Sequence, residues 1–230
     1  MTYTLKVQIN KDELETINLA NQKVVLIKVV PDGQHKIAWV TFVPFEQNQV
    51  TWDNAYYLYA SLTEPGEDKK IIVNSSKAAQ ARFEYTFTGN LSFSNGQPNS
   101  QLGDGQYEVS NQVPSDQQPW ITFGMAQTCT VNSKKTEIMP INAEVVPALQ
   151  FAKFTPRETV LIFLASNIAA GAVHDNVIIS SDFRAAESAK IPLRESELEA
   201  ESVATQLSFS PANQTITVVY SASLGKFIQQ

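Results

Sequence analysis

The chain has 230 residues, 43% of them hydrophobic and 10% aromatic, which is enough for a packed core and excludes wholesale disorder. It carries 17 basic against 23 acidic residues, a net charge of -6, so no nucleic-acid partner is expected, because that affinity rests on clustered Lys and Arg. Cys129 is the single cysteine, which excludes an intramolecular disulfide and any paired-cysteine zinc site.

The first residues alternate, with Leu5, Val7 and Ile9 on one face, and predict a strand over 3–9, not a basic, apolar leader. With no signal peptide read there, a cytoplasmic location is expected, with release by a non-classical route left open. A short helix follows over 11–20, with Asn10 as N-cap and Leu14 and Ile17 turned inward. Further strands are predicted over 24–30, 37–44, 55–61, 70–75, 82–94 and 106–113. The second half repeats the habit, over 120–131, 136–140, 145–154, 159–166, 176–181, 202–210 and 215–223. Such short strands, rich in Val, Ile, Thr, Phe and Tyr and broken by Asn, Asp, Gly and Pro, predict an all-β, antiparallel sandwich or barrel. The turns Pro31-Asp32-Gly33 and Asp104-Gly105 offer residues that tolerate positive φ. The longest apolar run, from Val160 to Ala165, is far too short for a membrane-spanning helix.

A weak internal repeat refines the fold class. Ala60-Ser61, Gly66 and Ser75-Ser76 recur 105 residues later as Ala165-Ser166, Gly171 and Ser180-Ser181. Tyr56-Tyr57-Leu58-Tyr59 then lies against Leu161-Ile162-Phe163-Leu164. The expectation is two tandem antiparallel β-sandwich units, 1–115 and 116–230, linked through the Gln, Asn and Pro-rich stretch 95–119. The alternative is one larger sandwich in which the two copies share sheets.

Chemistry is sparse. His35 and His174 read as exposed loop residues, and a zinc site joining them to Asp32 or Asp175 has no short ligand spacing behind it. Cys129 lies in an alternating run and reads as a small core residue. The acidic stripe Glu195, Glu197, Glu199 and Glu201 lacks the glycine of a calcium loop and reads as a solvated face or a charged edge. No serine elbow, Gly-rich phosphate cradle or Walker pattern occurs. No catalytic residue, metal site or cofactor is therefore expected, and the chain reads as a non-enzyme.

Aromatic residues carry the one candidate site. On the strand 55–61, Tyr56, Leu58 and Ala60 face one way and Tyr57 and Tyr59 the other, so both faces are apolar or amphipathic. The outward face must pack on something: the other repeat, a second subunit or a ligand. Trp52, Tyr57 and Tyr59 are the candidate ligand-binding residues, since a flat ring with a polar edge suits a sugar or a lipid headgroup boundary. The expectation is a lectin-like binding protein for a glycan or membrane surface. The alternatives are a soluble pore-forming or insecticidal toxin and a structural, self-assembling β protein; a homo-oligomer fits each. Ser166 to Val173, small and uncharged, reads as a packed loop, being short for a membrane strand.

Overall fold

A computed structural model describes residues 1–179 and 203–230. Among these residues the chain is mostly β, with one short helix and several antiparallel pairings. In chain order the elements are β1 (Thr2–Gln8), α1 (Lys11–Leu19), β2 (Lys23–Lys28), β3 (His35–Lys36), β4 (Ala38–Phe42), β5 (Gln47–Asp53), β6 (Tyr56–Ser61), β7 (Ser75–Ala79), β8 (Phe83–Phe87) and β9 (Gln97–Pro98). They continue with β10 (Tyr107–Asn111), β11 (Trp120–Gln127), β12 (Thr130–Val131), β13 (Lys134–Lys135), β14 (Met139–Pro140), β15 (Asn142–Pro147), β16 (Phe151–Phe154), β17 (Thr159–Ala165), β18 (Ile178–Ile179), β19 (Val203–Ser208), β20 (Thr215–Ser221) and β21 (Lys226–Gln229). The acidic stripe Glu195 to Glu201 and the repeated Ser180-Ser181 lie outside the described residues.

Among the described residues four sheets form, in the orders β13-β12-β5-β1-β20-β21, β16-β10-β8-β9, β3-β15-β11-β6-β7 and β18-β19-β17-β2-β4. Every one of them combines strands from both sides of residue 115, so the segments 1–115 and 116–230 share sheets and do not close separate ones. The pairings themselves recur. β1 lies between antiparallel β5 and parallel β20, just as β10 lies between antiparallel β16 and parallel β8. β2 lies between β4 and β17, and β11 between β15 and β6, all antiparallel. β6 then borders β7, and β17 borders β19.

One hydrophobic cluster draws on all four sheets: Leu5 and Val7 from β1, Leu26 from β2, Leu58 from β6, Phe123 from β11, Val109 from β10 and Ile162 from β17. A strand paired on both edges and covered on both faces must be apolar throughout, which accounts for β6 and β17. Tyr56, Leu58 and Ala60 enter the main cluster, whereas Tyr57 and Tyr59 turn to a second one with Ile37, Ile71, Ala126 and Val173. In β17, Val160 and Ile162 face the main cluster, and Leu161, Phe163 and Ala165 face a third with Val25 and Ile27.

Several boundaries differ from the sequence reading. β5 carries no prediction, because the inward residue Asn48 breaks the apolar alternation that Val50 and Trp52 continue. The predicted strand 145–154 is two, β15 and β16, separated by Leu149 at φ 64°. The stretch 82–94 likewise ends its strand at Phe87, then turns back through a bridge from Phe87 to Phe93. Gly105 adopts positive φ as expected, but Gly33 does not. Glycine is needed at 33 for space instead, since a Cβ would lie 2.8 Å from Asn142 Nδ2. Gly124 is the tightest of the glycine positions: a Cβ would meet Asn142 O at 2.2 Å and the Tyr59 ring at 2.6 Å.

Candidate functional site

The most polar part of the core surrounds Lys28. Strand alternation puts Val24, Leu26 and Lys28 on the inward face of β2, so a lysine ends where two aliphatics precede it. Its Nζ donates to Glu158 Oε2 at 2.7 Å and to the Tyr56 hydroxyl at 3.3 Å. The ammonium also sits over three rings, 5.4 Å from the centroid of Trp39, 5.3 Å from Trp52 and 5.2 Å from Tyr56. Glu158 in turn accepts from Trp52 Nε1 at 2.9 Å and from the Tyr56 hydroxyl. Burial pushes Lys28 down to about 8 against the opposing pull of Glu158, and burial beside Glu158 pushes Tyr56 well up. Lys28 and Trp39 are buried, so the ammonium of this cage is held within the core.

Trp52 belongs to that cage and is 2% exposed. Tyr59 is 0% exposed, with its hydroxyl donating to Asn142 O at 2.6 Å and its ring against Gly124. Burial alone raises its hydroxyl far above the ordinary value. Tyr57 is half-buried on the outer face of β6. The three sequence candidates are thus not brought together: Trp52 and Tyr57 lie on opposite sides of the sheet, and only Tyr57 retains a ring surface in contact with water. Val173 packs with Tyr57 and Tyr59, and Ile168 and Ala172 of the same segment are buried too. Cys129 is buried as expected, its thiol pushed up to about 11 by burial.

The histidines depart from expectation. His174 is 4% exposed, stacked on Phe163 at 5.8 Å and 22°, and His35 is half-buried. The cause is non-local. The stretch 171–175 inserts between two others, with His174 N donating to Lys36 O at 2.9 Å and Val173 N to Lys69 O at 2.9 Å. This brings His35 Nδ1 to within 2.7 Å of Asp175 Oδ2 and His174 Nδ1 to 3.1 Å from Glu67 Oε1. The His35–Asp175 pair borders a recess of about 410 Å³, also lined by Val29, Asn142, Leu161 and Gln206.

Two phenylalanines elsewhere are accessible, Phe45 and Phe151, and Phe45 is the one that borders recesses. Phe45, in the β4–β5 connection, is 62% exposed and forms a wall between two shallow recesses. One, of about 610 Å³, is lined by Lys6, Gln8, Gln47, Gln49, Asn132 and Ser133. The other, of about 680 Å³, is more apolar, with Phe42, Val43, Val131 and Met139 and with Lys134, Lys135 and Glu137 at its margin. The wall is held firmly: Asn48 accepts from Phe45 N at 2.9 Å and donates to Phe45 O at 2.7 Å. Asn132 accepts from Gln49 N at 2.8 Å and donates to Asn48 Oδ1 at 3.2 Å. Asn48 thus spends its amide on the backbone, which leaves Gln47 and Gln49 outward on alternate positions of β5. Sequence reading passed over this surface, although Phe45-Glu46-Gln47-Asn48-Gln49 joins an aromatic to a run of amides.

No family model, curated protein or solved structure matches the chain.

Proposed function

We propose that the protein is a non-enzymatic glycan-binding protein and that the surface around Phe45 is its recognition site. The observation that carries this reading is an exposed aromatic ring standing beside a recess of outward amides. A ring face stacks on the C–H face of a sugar, while side-chain amides both donate to and accept from its hydroxyls. A lipid surface suits this place less well, because Gln8, Gln47 and Gln49 would lose water without gaining partners. The net charge of -6 also opposes an anionic leaflet.

The test is retention of the protein on columns of immobilised neutral and acidic oligosaccharides. Retention by at least one column, lost in Phe45→Ala and weakened in Gln47→Ala/Gln49→Ala, supports the site. Passage through every column, or equal retention of Phe45→Ala, refutes it. Leakage of liposomes by the wild type would instead favour a pore-forming role.

We infer also that the chain is a duplicated β unit, one copy ending near β9 and the other beginning at β10. The recurrent pairings support this, since each β1-type, β2-type and β6-type strand has partners of the same kind and direction in both copies. Among the described residues six ladders then run between copies: β1 with β20, β10 with β8, β2 with β17, β11 with β6, β12 with β5 and β15 with β3. Residues 1–105 expressed alone are expected to remain unfolded or to dimerise. A stable folded monomer of that fragment would contradict the exchange.

A further inference from the structure

We propose that Glu67, Asp68 and His174 form a binding site for a divalent transition-metal ion, zinc being the best match to their donors. One nitrogen and two carboxylates come together here, with their ligand atoms all within 4.8 Å of one another. An acidic pair on a surface is common, but His174 is not. Its side chain is 6% exposed, and among the described residues neither ring nitrogen has a hydrogen-bond partner. A buried imidazole with both nitrogens orphaned is costly, and an ion bound to one of them removes part of that cost.

The distance alone suits a hydrogen bond, but the alignment does not. His174 Nδ1 lies 3.1 Å from Glu67 Oε1 without hydrogen-bond alignment. Two donors on a tetrahedral zinc, each about 2.0–2.2 Å from the metal, are separated by roughly 3.3–3.6 Å, so a shift of a few tenths of an ångström accommodates the ion. Glu67 is oriented through its other oxygen, since Oε2 accepts from Asp175 N at 3.1 Å, which leaves Oε1 facing the imidazole. The ring plane is set by Phe163, and the backbones of Asp68 and His174 are tied to Val173 O and Lys36 O at 3.0 and 2.9 Å. Asp68, being exposed, has the freedom to complete the set, and water supplies the remaining position. His35 is not among the residues whose ligand atoms gather here, and its Nδ1 pairs with Asp175.

The alternative occupant of the same geometry is a proton: a charged His174 paired with Glu67, with no metal. Titration of tag-free protein with zinc by calorimetry separates the two, and cobalt(II) reports the site by its visible absorption. One equivalent of zinc per chain, a raised melting temperature and a cobalt spectrum are expected. Glu67→Gln/Asp68→Asn, which changes only exposed side chains, is expected to weaken zinc binding by about tenfold or more while its own melting temperature without zinc stays near that of the wild type. His174→Ala is expected to abolish the cobalt spectrum; should that variant fail to fold, the double variant decides. No stoichiometric uptake by the wild type, or uptake unchanged in the double variant, overturns the proposal. This outcome is independent of glycan retention at Phe45.

Discussion

Replacing Lys28 by methionine tests the account of the caged ammonium. Methionine keeps most of the apolar stem and removes the charge that Trp39, Trp52 and Tyr56 surround. In the folded protein burial lowers Lys28 from 10.5 to about 8, with Glu158 opposing that shift. Between those two pH values the unfolded chain holds a proton that the folded chain has released, so the stability contributed by Lys28 rises with pH. At about 1.4 kcal/mol per tenfold change in proton affinity, the rise from pH 7 to pH 10 amounts to about 2–3 kcal/mol. Cys129, raised to about 11 by burial, and Tyr56, raised by burial and Glu158, change stability in the opposite direction at the upper end of this range. Both groups are present in both proteins, and since Lys28 itself pulls the Cys129 thiol down, the comparison reads the lysine together with its effect on that thiol. Urea unfolding of wild type and Lys28→Met at pH 7, 8, 9 and 10 supplies the measurement. The wild type is expected to gain on the variant by about 2–3 kcal/mol across the series, mostly above pH 8. Parallel stability curves would refute the claim that a charged lysine is held inside the cage.

Two further perturbations test the packing. Gly124→Ala places a methyl group against Asn142 O and the Tyr59 ring, and is expected to cost on the order of 3 kcal/mol or to prevent folding, read as the urea midpoint; an unchanged midpoint would contradict the close approach of β11, β6 and β15. The Cys129 thiol, buried and raised to about 11, is expected to react with an aromatic disulfide reagent at pH 8 about a hundredfold more slowly in native protein than in guanidinium. Immediate stoichiometric labelling of the native chain would show that the thiol is open to solvent.

Local patterning carried much of the β organisation. The two apolar faces of residues 55–61 and 160–166 are readable from alternation alone, and they reappear as strands shared between separate clusters. The helix was legible for a similar reason, although Asn10 makes no side-chain cap hydrogen bond. What alternation does not encode is the partner of each strand. The sharing of sheets across residue 115 is set by ladders such as β1 with β20, whose residues are more than 200 positions apart. The same limit hid the polar groups. Lys28 stands at an inward position of an apolar run, but its carboxylate lies 130 residues away. His174 read as a loop residue because its burial depends on the stretch 171–175 inserting between Lys36 and Lys69. Trp52 and Tyr59 were prominent by type, yet size and apolarity draw such rings inward, and Phe45 on a short connection kept its face to water.

The central functional claim is that a sugar sits on Phe45. Its most direct measurement is an amide chemical-shift titration of the isotopically labelled chain with an oligosaccharide that the columns retain. The account predicts saturable shifts concentrated at residues 45–49 and 132–133, and none at the buried Trp52 or Tyr59. Shifts centred on Tyr57, or a titration that leaves residues 45–49 unmoved while the sugar binds, would contradict it.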